Sequence, residues 1–151
     1  MKYSKKYGVD RRQFLKYMAA VSAIPFSSCR TTSPVITRPQ FEDYPFKLSV
    51  ASGDPEPDGV VLWTRLAPLP LDGGGMPSEP IETFWEVAND EAFSDIVQKG
   101  TAHAIPQLGH SVHIEVSGLK PAHSYFYRFH AGNYTSPVGR TRTAPALNSM
   151  P

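Results

Sequence analysis

HSVHIEVSGLKPAHSYFYRFHA, residues 110–131, decides the fold class. Val112, Ile114 and Val116 share one parity and Ser111, His113 and Glu115 the other, which is the period of a strand with one face on a core. Gly118 and Pro121 break that pattern before Tyr125, Tyr127 and Phe129 resume it. Working outward, the same period of two recurs between turn residues and predicts strands at Phe46–Ser52, Gly59–Leu66, Ile81–Ala88, Ile96–Ile105, His110–Ser117, Ser124–Ala131 and Pro137–Thr143. About seven short strands predict an all-β, antiparallel β-sandwich. Trp63, Trp85, Tyr127 and Phe129 are expected in its core, Pro68–Pro80 as an exposed loop, and Asn89–Asp95 as a brief helical turn.

Leu119, Pro121 and Tyr125 have the spacing of a structural corner. It resembles the corner between late strands of fibronectin type III and immunoglobulin-like domains, in which a buried Tyr hydroxyl bonds back to nearby backbone. Tyr125 is therefore expected to be structural.

The 151 residues suffice for one domain with appendages. Their formal charge of +1 conceals an asymmetry, because residues 1–29 hold six Lys/Arg against Asp10 alone. The remainder carries nine Lys/Arg and thirteen Asp/Glu, too acidic for a nucleic-acid footprint. The basic start and the short apolar run from Tyr17 to Phe26 have the layout of a secretory leader. Ten helical residues reach only ~15 Å, about half a hydrocarbon core, so this run does not predict a transmembrane anchor.

Within it, Arg11, Arg12, Phe14, Leu15 and Lys16 resemble a twin-arginine export signal, implying the twin-arginine machinery as a partner and the periplasm or cell envelope as destination. Cys29, the only cysteine, follows Phe26-Ser27-Ser28 as in a lipoprotein processing box, making it a lipidation candidate. Cleavage after Val21-Ser22-Ala23 competes with that reading, and a plain free thiol is the third alternative. Membrane contact is expected only through the leader or acylation at Cys29. Residues 30–45, punctuated by Pro34, Pro39 and Pro45, read as a tether.

Asp54-Pro55-Glu56-Pro57-Asp58-Gly59 imitates the start of a calcium loop, but Arg65 stands where the twelfth-position Glu is needed. A rigid turn is the expectation, with Pro fixing φ and Gly59 tolerating left-handed geometry. Neither His110 with His113 nor His123 with His130 falls on one face of a strand, and with His103 they are expected on surfaces or sheet faces. No nucleophile elbow or phosphate loop with its Lys is seen. Arg140 and Arg142, at i and i+2, share a face and are interdomain contact candidates.

VASGDPEPDGVVLWTRLAP, MPSEPIETFWEVANDEAF, GHSVHIEVSGLKP, YFYRF and SPVGRTRTAP, in that order, resemble the amino-terminal domain of PhoD-type alkaline phosphatases. The resemblance covers most of residues 46–145 and implies a fibronectin-like sandwich preceding a metallophosphatase domain. It implies hydrolysis of phosphomonoesters and phosphodiesters there, with calcium and iron as cofactors. Those ligands are expected beyond Thr143, where only Ala144 to Pro151 remain, with residues 146–151 the start of a truncated linker, so catalytic and metal residues in this chain are expected to be none. The chain alone is expected to be inactive, with the metallophosphatase domain as its partner. The alternative is a stand-alone envelope lipoprotein serving as a binding module.

Overall fold

The computed structural model describes residues 39–146. The export-signal residues and Cys29 lie outside the described residues. The fold is an all-β sandwich. Its strands are β1 (Val50–Gly53), β2 (Gly59–Arg65), β3 (Ile81–Ala88), β4 (Ile96–Ala104), β5 (Ser111–Ser117), β6 (Ser124–Ala131), β7 (Tyr134–Thr135) and β8 (Gly139–Arg142). One sheet has the order β1-β2-β5; the other runs β4-β3-β6, with β7 and β8 pairing successive parts of β6. Every pairing is antiparallel. Counting β7 and β8 as one broken strand gives three strands facing four, a fibronectin type III-like arrangement.

Alternation sets the core. Val60, Leu62 and Thr64 of β2 point inward beside Val112, Ile114 and Val116 of β5, their partners in register. Tyr125, Tyr127, Phe129 and Ala131 of β6 meet them from the other sheet, with Ile81 and Val87 of β3. Each large apolar side chain fully buried here contributes about 1.5–3 kcal/mol. Thr64 and Thr83 are tolerated inside because their hydroxyls bond to the carbonyls of Ser49, at 2.9 Å, and Ile81, at 3.4 Å.

Several expectations are corrected. Trp63 lies between inward Leu62 and Thr64, so its indole sits on the outer face of the smaller sheet, 6.2 Å from the His113 ring. Trp85, by contrast, packs against the core. β1 starts at Val50 rather than Phe46, since the chain turns first and Ser49 takes φ 63°. His110 is buried outside β5, with φ 56°, instead of opening that strand at a surface. The short β7 was not anticipated. It is separated from β8 because Ser136 is followed by Pro137, which has no N–H; the Ser136 hydroxyl accepts from the Phe129 amide at 2.9 Å. Asn89–Asp95 is a turn closed by Asp90, not a helical turn; the helical piece is the 3₁₀ turn Pro106–Leu108.

The expected tether also ends early. Phe41 and Tyr44 pack against the core, Pro45 and Phe46 are buried, and the Tyr44 hydroxyl donates to the Thr135 carbonyl at 2.9 Å.

Candidate functional site

The strand directions give the sandwich two poles. At one, the chain comes in through residues 39–49 and the β2–β3, β4–β5 and β6–β7 connections turn. At the other lie the β1–β2, β3–β4 and β5–β6 connections and the outgoing residues Thr143–Ala146. The Ala144 amide donates to the Glu56 carbonyl at 3.0 Å, fastening the outgoing chain to the acidic turn.

That acidic turn is rigid for a reason other than the expected one. Glu56 and Gly59 exchange backbone hydrogen bonds, and the left-handed residue is Asp54, φ 48°. Gly59 serves close approach instead: a Cβ there would stand 2.7 Å from the Val116 carbonyl oxygen of β5. On the neighbouring corner, the Tyr125 hydroxyl accepts from the Lys120 amide at 2.8 Å, Leu119 is buried, and Pro121 is exposed.

Arg140 and Arg142 are exposed on the outer side of β8, with Thr141 buried between them. β8 and β1 are edge strands of opposite sheets, and an open cleft between them is lined by Ser52, Gly53, Pro55, Ser124, Arg140 and Arg142. Among the described residues these two strands end their sheets, and sheet edges flanked by guanidinium groups suit an acidic, hydrogen-bonding partner surface. Beneath the cleft, burial pushes the Tyr127 phenol above its ordinary pKa, partly offset by a hydrogen bond with Ser52.

A second polar group lies on the outer face of the larger sheet. Register places Glu86 of β3 opposite Arg128 of β6, and both Nε and a terminal nitrogen of Arg128 reach Glu86 Oε2 at 2.8 Å. His130 Nε2 is 3.3 Å from the same oxygen, while its Nδ1 is 3.0 Å from Thr135 Oγ1. Partial burial raises the Glu86 carboxyl, but the hydrogen bonds from Arg128 and His130 outweigh it and hold the pKa below its ordinary value. The Arg128 guanidinium also lies 3.9 Å from the Phe93 ring centroid. Sequence reasoning missed this network because parity put these residues outward without revealing the register that joins them.

The histidines do not converge. His110 approaches the Glu79 carbonyl, His123 the Asn89 side chain, and His130 the Glu86 network; His113 meets Trp63 and His103 is exposed. Among the described residues, no three His, Cys, Asp or Glu side chains gather as a metal site. Among the described residues no donor set fits the calcium and iron that the sequence resemblance implies.

Comparison with known proteins bears on the fold and the family. Residues 29–145 match the family "PhoD-like phosphatase, N-terminal domain". Alkaline phosphatase D of Bacillus subtilis (strain 168) is 50% identical over 141 residues, which cover 91% of this chain and 24% of that protein. A solved structure of PhoD superposes with a TM-score of 0.71 at 60% identity, over 72% of this chain and 21% of the other. A human fibronectin type III domain, from the KIAA0970 protein, has a TM-score of 0.46 at 16% identity, over 68% of this chain and 76% of that domain. The chain thus spans about a quarter of the length of its phosphatase relative. The fold, its corner and the matched span lead to one assignment: the chain belongs to the family of PhoD-like phosphatase N-terminal domains.

Proposed function

We propose that this chain is the exported amino-terminal domain of a PhoD-like alkaline phosphatase, docking on a metallophosphatase domain and shaping access to it rather than performing catalysis. The observation that carries the reading is the match over residues 29–145 to a domain defined by its place in such phosphatases. The cleft between β1 and β8 supports it, since Arg140 and Arg142 stand just before the outgoing chain. Phosphate ester hydrolysis, with calcium and iron, belongs in this reading to the metallophosphatase domain. The leader sequence supports twin-arginine export, and Cys29 supports attachment to the envelope membrane by acylation.

The purified chain, supplied with calcium and iron, is expected to show no hydrolysis of p-nitrophenyl phosphate or of its diester. Clear metal-dependent turnover would overturn the division of labour.

A further inference from the structure

Three leucines stand out at the pole where the chain comes in, one on each of three separate segments. Leu71 in the β2–β3 loop is fully exposed, Leu108 in the 3₁₀ turn is 60% exposed, and Leu48 before β1 is 40% exposed. Leu71 sits on a fixed support: Leu69 and Gly74 exchange backbone hydrogen bonds at 3.0 and 2.9 Å, and the Asp72 amide returns to the Leu69 carbonyl at 3.0 Å. The neighbouring segments are tied together too, by Arg65 Nε donating to the Gly109 carbonyl at 2.9 Å and by His110 Nε2 lying 3.2 Å from the Glu79 carbonyl. With Leu71 held into water on a hydrogen-bonded hairpin and Leu48 and Leu108 exposed on two further segments, this pole offers three apolar side chains to a partner.

We propose that this leucine pole is a contact for the surface of a lipid bilayer. Two observations choose that occupant, the position of the incoming chain and that of the outgoing one. Pro39 lies against Gly132 of the β6–β7 turn, so the chain reaches the sandwich at the leucine pole. Pro39 is only ten positions after Cys29, a reach of at most about 36 Å when fully extended. Acylation at Cys29 would tether the sandwich within that reach of a bilayer, by the pole that carries the leucines. Both poles carry acidic residues: Asp54, Glu56, Asp58, Asp90, Glu91 and Asp95 occupy the connections of the opposite pole, and Glu42, Asp43, Asp72 and Glu79 the leucine pole, where Asp43 is matched by Lys47 at 2.6 Å. The outgoing residues Thr143–Ala146 lie at the pole opposite the leucines, where the Ala144 amide bonds to the Glu56 carbonyl.

The orienting role rests on the anchoring proposed above, and the test separates the two. The full chain carrying Cys29→Ser, which cannot be acylated, is mixed with phosphatidylcholine vesicles and its partitioning measured by flotation. Further substitutions in that same background leave the leader constant. Leu71→Ser is expected to weaken partitioning about tenfold and Leu108→Ser by a smaller factor. Leu71→Trp should keep or raise it and give, after subtraction of the parent spectrum, a blue-shifted indole emission on vesicle addition. Unchanged partitioning in Leu71→Ser, with no shift in Leu71→Trp, would overturn the proposal. So would loss of self-association, measured by sedimentation, in place of loss of vesicle binding, because the pole would then be a protein interface. Mass spectrometry of the exported chain's amino terminus judges the anchoring separately: an unmodified start at Ile24 removes the anchor, while the vesicle result still decides the pole.

Discussion

The Tyr125 hydroxyl accepts a hydrogen bond from the Lys120 amide at 2.8 Å, closing the corner between β5 and β6 over five residues. Tyr125 is almost fully buried, so removing the hydroxyl leaves that amide without its partner. Tyr125→Phe is expected to cost about 1 kcal/mol and lower the melting temperature by roughly 4–8 °C, without loss of the sheet signal in circular dichroism. An unchanged melting temperature would show that the corner bond contributes nothing.

Gly59 and Gly53 form a contrasting pair at the ends of the acidic turn. A methyl group at Gly59 would press on the Val116 carbonyl, whereas one at Gly53 meets nothing within 4 Å. Gly59→Ala is expected to destabilise by about 1–3 kcal/mol and Gly53→Ala to stay within about 0.5 kcal/mol of wild type. Urea unfolding of both variants checks the difference.

The Glu86 network predicts a sign for pH dependence. Because the folded Glu86 carboxyl titrates below its ordinary value of 4.5, it adds stability above that pH and loses it as pH falls through the lower folded value. Glu86→Gln should therefore be less stable than wild type at pH 7, with the two curves converging in acid. A stability difference that persists unchanged at pH 2 would show that charge is not its source.

Leu62 and Trp63 are adjacent in β2 but face opposite ways. Leu62→Ala is expected to cost about 2–5 kcal/mol through a core cavity. Trp63 should be reached by acrylamide, with Trp63→Phe removing the more quenchable part of the indole emission.

Arg140 and Arg142 are exposed, so Arg140→Glu with Arg142→Glu should leave the isolated chain's stability within about 0.5 kcal/mol. The same pair placed in Bacillus subtilis alkaline phosphatase D, after replacing its matched region with residues 39–146, should lower the melting temperature. No difference in that setting would remove the arginines from the docking surface.

Most of the sandwich was legible because alternation and turn residues agreed. β3 and β6 keep their expected limits, and β2 and β5 differ by one residue. Trp63 was misplaced because hydrophobicity alone ranks an indole above Thr64 as a core residue. The structure instead obeys parity and satisfies the threonine hydroxyl with the Ser49 carbonyl. β7 was missed because two residues carry no period, and the Glu86 network because pairing register is a long-range property. The paired faces of Arg140 and Arg142 were readable from spacing; the cleft beside β1 was not, since it joins strands 86 residues apart in sequence, from Gly53 to Gly139.

The broken β7–β8 strand makes seven crossings between the poles, and an odd number of crossings delivers the outgoing chain to the end opposite its arrival. Geometrically the sandwich is a spacer. Its eight-residue strands β3 and β6 alone span about 26 Å, which sets the distance between the end where the described chain arrives and the end where it leaves. Neighbouring strands are paired along their length, so the distance between those two ends is set by the sheets and not by the fluctuating reach of a flexible linker.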